Sequence, residues 1–252
     1  MTEARVVVKE FPYKCREVFK DFHQREQRWA VLVAHRRAGK TVSCIADIVR
    51  RAIKENKRDG RYAYMSPFLS QSKSVAWDYL QYYAAPAIAK SNQSELWVEL
   101  VNGARIRLFG ADNADAIRGI FLDGIVLDEY ADFRAGVFGQ IIRPLLADRG
   151  GWCTFIGTPK GHNAFWDIYQ NATKDPAWFV KTLRASQTGL LAQSELDDAA
   201  SMMSEDQYMQ EFECDFEAAI LGAFYGKEMR QLTDEGRITK VWHDPDFKVF
   251  TS

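Results

Sequence analysis

Short, purely apolar runs alternate along this chain with longer stretches in which apolar positions recur every three to four residues. Trp29–Ala34 (WAVLVA) is the first pure run. No polar position interrupts it, so it predicts a strand buried on both faces, as in parallel sheets. Val42, Ile45, Ala46, Val49, Ala52 and Ile53 then follow helical spacing, predicting a helix over Lys40–Asp59 that stops at Asp59-Gly60. Arg61–Ser66 predicts a second strand, closed by Pro67. Gln71–Lys90 reads as a helix interrupted at Pro86. Trp97–Leu100 and Arg105–Phe109 flank Asn102-Gly103, a hairpin signal. Asp123–Leu127, Trp152–Ile156 and Phe179–Leu183 are further strands, with a helix around Phe138–Ala147 and one or two more within Ser194–Phe216. Gly222, Gly226 and Gly236 then break the pattern, and Lys248–Ser252 is strand-like again. The alternation predicts an α/β fold, a mostly parallel sheet flanked by helices.

Composition narrows this reading. The 252 residues are 47% apolar and 13% aromatic, enough for a substantial core and unlike a disordered or collagen-like chain. No apolar run reaches the ~18 residues of a membrane span, and the amino-terminal MTEARVVVKEFPYK does not read as a signal peptide. Cys15, Cys44, Cys153 and Cys214 show no metal-ligand spacing and read as reduced, buried thiols of a soluble intracellular protein. Net charge is −1, so a nucleic-acid site has to be a local patch.

The chemistry concentrates in two places. Ala34-His35-Arg36-Arg37-Ala38-Gly39-Lys40-Thr41 lies between the first buried strand and a long helix, the strand–loop–helix context of a phosphate loop. There the backbone N–H groups and helix N-terminus face phosphate oxygens, Gly39 permits close approach, Lys40 reaches the β- and γ-phosphates, and Thr41 ligates Mg²⁺. The usual first glycine is replaced by Ala34. The second place is Ile125-Val126-Leu127-Asp128-Glu129, an apolar strand ending in two carboxylates. Beside a phosphate loop, the first acid serves Mg²⁺ and the second activates the attacking water. Together the motifs predict ATP binding and hydrolysis.

Other positions stay open between two readings. Arg36 and Arg37 are either phosphate contacts or a solvated rim. Arg118, in Ala116-Ile117-Arg118-Gly119, is either a transition-state arginine or a surface ion pair. Gly157-Thr158-Pro159 ends a buried strand on the side where such sheets place ligands. Trp77, Tyr79, Tyr82 and Tyr83 either stack on bases or pack a helix, and Lys54, Lys57, Arg58 and Arg61 read as the solvated end of a helix. The four histidines show no paired spacing.

These residues together resemble the N-terminal ATPase domain of the large terminase subunit, the DNA-packaging motor of tailed bacteriophages and prophages. The resemblance rests on Val31–Thr41 (VLVAHRRAGKT), Met65–Trp77 (MSPFLSQSKSVAW), Ile117–Gly119 (IRG), Gly124–Ala131 (GIVLDEYA) and Phe155–Gly161 (FIGTPKG). It implies a P-loop NTPase of the additional-strand, RecA-like class with a small helical lid: a core over 1–186, a lid and linker over 187–236, and over 237–252 the start of a truncated nuclease domain. Nuclease activity is accordingly expected to be absent. In that family the loop lacks a strict first glycine and carries an arginine, the position of Arg36. Arg118 matches an arginine finger acting between ring neighbours, and Gly157-Thr158-Pro159 matches the motif coupling hydrolysis to DNA movement. The adenine-side element falls in Phe11–His23, where no clean glutamine stands and Arg16 is the nearest candidate.

The resemblance implies ATP and Mg²⁺ bound by Arg36, Arg37, Ala38, Gly39, Lys40, Thr41 and Asp128, with Glu129 and Arg118 catalytic. It also implies double-stranded DNA, the procapsid portal and the small terminase subunit as partners, and a pentameric ring in the host cytoplasm. Two alternatives are a helicase-like nucleic-acid ATPase, which lacks room here for a second RecA-like domain, and a non-catalytic docking module stabilised by nucleotide.

Overall fold

The computed structural model describes residues 11–218, 231–233 and 235–237. Two compact units are present, Met1–Ala218 and Ala219–Ser252, and every element named below belongs to the first. Residues 219–230 and 234 of the expected lid over 187–236, and the expected nuclease strand over 237–252 except Arg237, lie outside the described residues.

Eight strands form one sheet: β1 (Trp29–Ala34), β2 (Arg61–Ser66), β3 (Ile88–Asn92), β4 (Trp97–Leu100), β5 (Arg105–Gly110), β6 (Gly124–Leu127), β7 (Trp152–Gly157) and β8 (Trp178–Leu183). Their order is β3-β4-β5-β2-β6-β7-β1-β8. From β5 to β8 every neighbour is parallel, and at the other edge β4 runs antiparallel to both β3 and β5. The fold is α/β, a mostly parallel sheet with a hydrophobic core on each face.

The pure apolar composition of β1 follows from its central place. Ala30, Leu32 and Ala34 face one core, packed by Ile45, Ile48, Val49 and Ala52 of the Lys40–Glu55 helix. Val31 and Val33 face the other, with Phe155, Phe165, Ile141 and Ile142. Each buried valine, leucine, isoleucine or phenylalanine among them contributes roughly 1.5–3 kcal/mol by leaving water. The Lys40–Glu55 helix ends where Asn56 turns left-handed (φ 43°), a common helix stop for asparagine. Its Asp47 is fully buried and pairs with Arg25 at 2.8 Å and Arg51 at 3.2 Å. This cluster ties the Lys20–Gln24 helix and β7 at Thr154 to the Lys40–Glu55 helix, since Arg25 also donates to Thr154 Oγ1 at 3.0 Å.

Several expected elements are corrected. The helix expected over Gln71–Lys90 ends at Ala84 after a π-helical turn at Ser72–Ala76, and Lys90 lies in β3. Pro86 stops the helix, and β3 is an edge strand with a mostly exposed, non-alternating sequence. The Phe138–Ala147 helix is only a π turn, Phe138–Ile142, followed by Arg143–Leu145, with Pro144 and Gly150 limiting it. The Lys40–Asp59 helix stops at Glu55. Two helices occupy the expected Ser194–Phe216 stretch, Gln193–Met202 and Glu205–Glu211. Cys15 is exposed, whereas Cys44, Cys153 and Cys214 are buried. Among the described residues no helix is long and apolar enough to cross a membrane.

Candidate active site

Because β6, β7 and β1 are adjacent and parallel, their carboxyl ends deliver three loops to one rim. Val33 pairs with Gly157, and both Val31 and Leu127 pair with Phe155. Open α/β sheets hold ligands at this rim.

The loop after β1 turns through left-handed Arg37 (φ 65°) and Gly39 (φ 96°). Gly39 is needed for this backbone angle, and an added Cβ would also lie 3.2 Å from Arg16 Nη1 and push that guanidinium aside. The first turn of the following helix leaves N–H groups without intrahelical partners, a ready anion site. Lys40 is buried, and its Nζ donates to Ala34 O at 3.0 Å, His35 O at 3.4 Å and Thr158 Oγ1 at 3.1 Å. The ammonium therefore links the phosphate loop to the loop after β7.

Asp128 and Glu129 follow β6 directly. The Asp128 carboxyl is buried, and Oδ2 accepts a hydrogen bond from the Tyr64 hydroxyl. Oδ1 has no hydrogen-bond partner. Burial, reinforced by the neighbouring Glu129 charge, raises the Asp128 pKa to about 6. The Thr41 hydroxyl also interacts with Tyr64, so Thr41 and Asp128 share one neighbour. A buried carboxylate oxygen lacking a donor, near a helix-terminal threonine, fits a hard cation of the Mg²⁺ kind. Mg²⁺ typically takes one or two carboxylates and completes its shell with phosphate and water, so a larger acidic cluster is not required. Glu129 is left-handed (φ 51°), a conformation costing about 1–3 kcal/mol for a non-glycine residue. It is half-buried and faces the same cleft as Lys40.

Gly157 ends β7 against the Glu129–Tyr130 turn. An added Cβ would crowd Phe165 Cε1 at 3.3 Å and reach ordinary contact with Tyr130 N at 3.5 Å, so a larger residue presses on the Phe165 ring. Thr158 and Pro159 are buried. Only Thr158 of the three lines the cleft.

That cleft has a volume of about 670 Å³. Arg36 through Thr41, Glu129 and Thr158 all line it, and Asp128 lies outside its lining, buried against Tyr64. Arg118 is not among these residues. It is 55% exposed, ion-paired with Asp115 at 2.7 Å, and borders a separate hollow with Arg134 and Gln140. The exposed-ion-pair reading of Arg118 describes its place within this chain.

Sequence reasoning missed part of the lining. Arg16, considered only for adenine, donates to Ala38 O at 2.7 Å and Arg37 O at 3.4 Å. Glu211 holds Arg36 through two bonds of 2.6 and 3.2 Å, and its carbonyl accepts the Arg36 N–H at 3.1 Å. The Glu211 carboxylate holds the Arg36 guanidinium above its usual pKa. Lys160 and Asp132, paired at 2.7 Å, close another side. Gln71, Val75 and Tyr79 complete the wall, and their spacing of four was a readable helical stripe. Trp77 is core, Tyr79 lines the cleft, and Tyr82 faces solvent.

The family model for the terminase large subunit, T4likevirus-type, N-terminal, matches residues 31–231. The chain belongs to this terminase family. It is 31% identical over 133 residues to the large terminase subunit of Escherichia phage T5, covering 50% of this chain and 30% of that one. The chain thus spans less than a third of this curated relative's length. The ATPase domain of the Thermus phage P74-26 large terminase superposes with a TM-score of 0.71 at 20% identity, covering 82% of this chain and 95% of that one. The large terminase of a thermophilic bacteriophage, in complex with ADP, gives 0.66 at 15% identity, covering 76% and 48%. At these identities the structural likenesses establish the shared fold. Membership in the terminase family rests on the family match.

Proposed function

We propose that this chain is the ATP-hydrolysing part of a terminase motor that drives double-stranded DNA into a procapsid. The observation that carries the reading is the convergence of Lys40, Thr158 and Glu129 on one cleft beside the phosphate loop. The thermophilic-phage terminase, described in complex with ADP, supports a nucleotide as the ligand.

In this mechanism the loop amides and Lys40 bind the phosphate oxygens, and Lys40 neutralises charge on the leaving β-phosphate side. Thr41 and Asp128 would hold Mg²⁺, which, when bound, supplies positive charge to the phosphate oxygens. Glu129 accepts a proton from the water that attacks the γ-phosphorus, and the bond to the β-phosphate oxygen breaks, leaving ADP and phosphate. Arg118 has no role in its own chain's cleft. As a finger it would reach a neighbour's site in a ring, proposed to be pentameric, on the portal in the host cytoplasm, with the small terminase subunit as a further partner. Thr158 would pass a change at Lys40 to the turn after β7.

Phosphate release from ATP by the wild-type chain, Lys40→Ala and Glu129→Gln tests this. Turnover in the wild type and its loss in both variants is expected. Full turnover in either variant, or none in the wild type, overturns it.

A further inference from the structure

Three arginines stand together at the end of the sheet opposite the cleft. Arg61 begins β2 and Arg105 begins β5, and these strands run parallel. Arg61 sits directly across from Arg105, and Arg107, two residues on, shares the Arg105 face. Further along that face Ala63 and Met65 are core, and Phe109 packs against it. The buried face thus gives way to guanidinium groups at its amino end.

Like charges directly opposite each other destabilise a strand pair. Arg105 is relieved by Glu99 at 2.8 Å and lies 4.3 Å over Trp97. The Arg61 and Arg107 guanidinium groups form no ion pair among the described residues, the Asp123 carboxylate meeting only the Arg61 backbone N–H at 2.9 Å, and Arg107 rests 5.2 Å over the Phe109 ring. All three line a groove of about 360 Å³ whose other wall is the Gly119–Leu122 loop, with Ile120 exposed. In a chain of net charge −1 this is a concentrated positive site.

Guanidinium forks match phosphate oxygens, and the groove contains no Asn or Gln to read base edges. A phosphodiester backbone, alike at every sequence, fits that chemistry. We propose that Arg61, Arg105 and Arg107 form a sequence-independent contact for the backbone of double-stranded DNA. The choice of DNA rests on the motor function proposed above.

The test is the salt dependence of binding to a fluorescein-labelled duplex of about 30 base pairs. In Arg61→Ala/Arg107→Ala the slope of log K against log salt is expected to flatten by about 1.8, two phosphate contacts at about 0.9 each. Arg61→Lys/Arg107→Lys keeps the wild-type slope, and DNA-free ATP hydrolysis is unchanged in both. An unchanged slope in the alanine variant overturns the proposal. So does loss of polyglutamate binding with the DNA slope intact, which would make this an acidic-protein groove. If the wild type bound DNA with the expected slopes yet hydrolysed no ATP, the contact would stand and the motor reading would fail.

Discussion

Lys40 Nζ lies 3.1 Å from Thr158 Oγ1, a direct bond between the phosphate loop and the turn after β7. In Thr158→Val the ammonium keeps only its two loop carbonyls, Ala34 O and His35 O. A hydrogen bond to a charged group contributes about 1.5–3 kcal/mol, so kcat is expected to fall at least about tenfold, with a smaller change in KM. Steady-state kinetics check this, and a variant altered only in KM removes Thr158 from the chemical step.

Glu129→Gln keeps the size of the side chain and removes the base. Turnover is expected to drop about 10²–10⁴-fold while nucleotide still binds, as read by equilibrium binding of a fluorescent ATP analogue. Loss of binding in step with turnover would make Glu129 a structural residue.

Asp128 carries a folded pKa of about 6, above its unfolded value near 3.9. The fold therefore favours the protonated acid. The associated stability is full below about pH 4 and is lost as pH rises through 6, on the order of 3 kcal/mol in all. Without nucleotide or Mg²⁺, Asp128→Asn is expected to be more stable than wild type at pH 8 and equal to it at pH 4, while losing turnover. Urea unfolding at the two pH values reads the difference, and equal stability at pH 8 would contradict the assignment.

Arg118 is exposed and outside its own cleft. ATPase activity per chain is expected to climb with protein concentration in the wild type. Arg118→Ala should stay flat, about 10³-fold lower once the wild type has assembled, as for other arginine fingers. Concentration-independent activity unaffected by the substitution would leave Arg118 as a surface ion pair.

Asp47 answers Arg25 in full burial. Burial alone would raise its carboxyl, but Arg25, His23 and Arg51 hold it well below the usual range. Asp47→Ala leaves Arg25 unpaired and is expected to cost about 3–5 kcal/mol in denaturant unfolding. The wild-type advantage is present above about pH 4 and lost as pH falls through the depressed folded value. A variant within about 1 kcal/mol of wild type near pH 7 would show that Thr154 and Phe22 satisfy Arg25 alone.

The central strands and the two motifs were legible because each packs its evidence into consecutive residues. WAVLVA is buried on both faces, and Asp128-Glu129 ends such a strand. The edge strand β3 was not legible, since burial leaves no alternation in IAKSN. The Ala164–Ala172 helix also went unread, although Asn163 caps it by accepting from Phe165 N and Trp166 N. Within the cleft, Glu211 and Tyr64 were invisible for a different reason. Glu211 meets Arg36 across 175 residues, and Tyr64 meets Asp128 through neighbouring strands, contacts that no local spacing encodes.

The Arg36–Glu211 pair also changes what occupying the cleft means. With Arg36 64% exposed yet held by Glu211 at two of its three guanidinium nitrogens, Nε and Nη2, its positive charge is already answered by a carboxylate. An anion that takes the Nε–Nη2 edge of Arg36 must displace Glu211, so engagement at that edge is a substitution and not a simple addition. Its equilibrium depends on the difference between two anions competing for one guanidinium, which weakens the net gain from either. The displaced carboxylate belongs to the helix Glu205–Glu211, so the leaving group in this exchange is itself a piece of the fold.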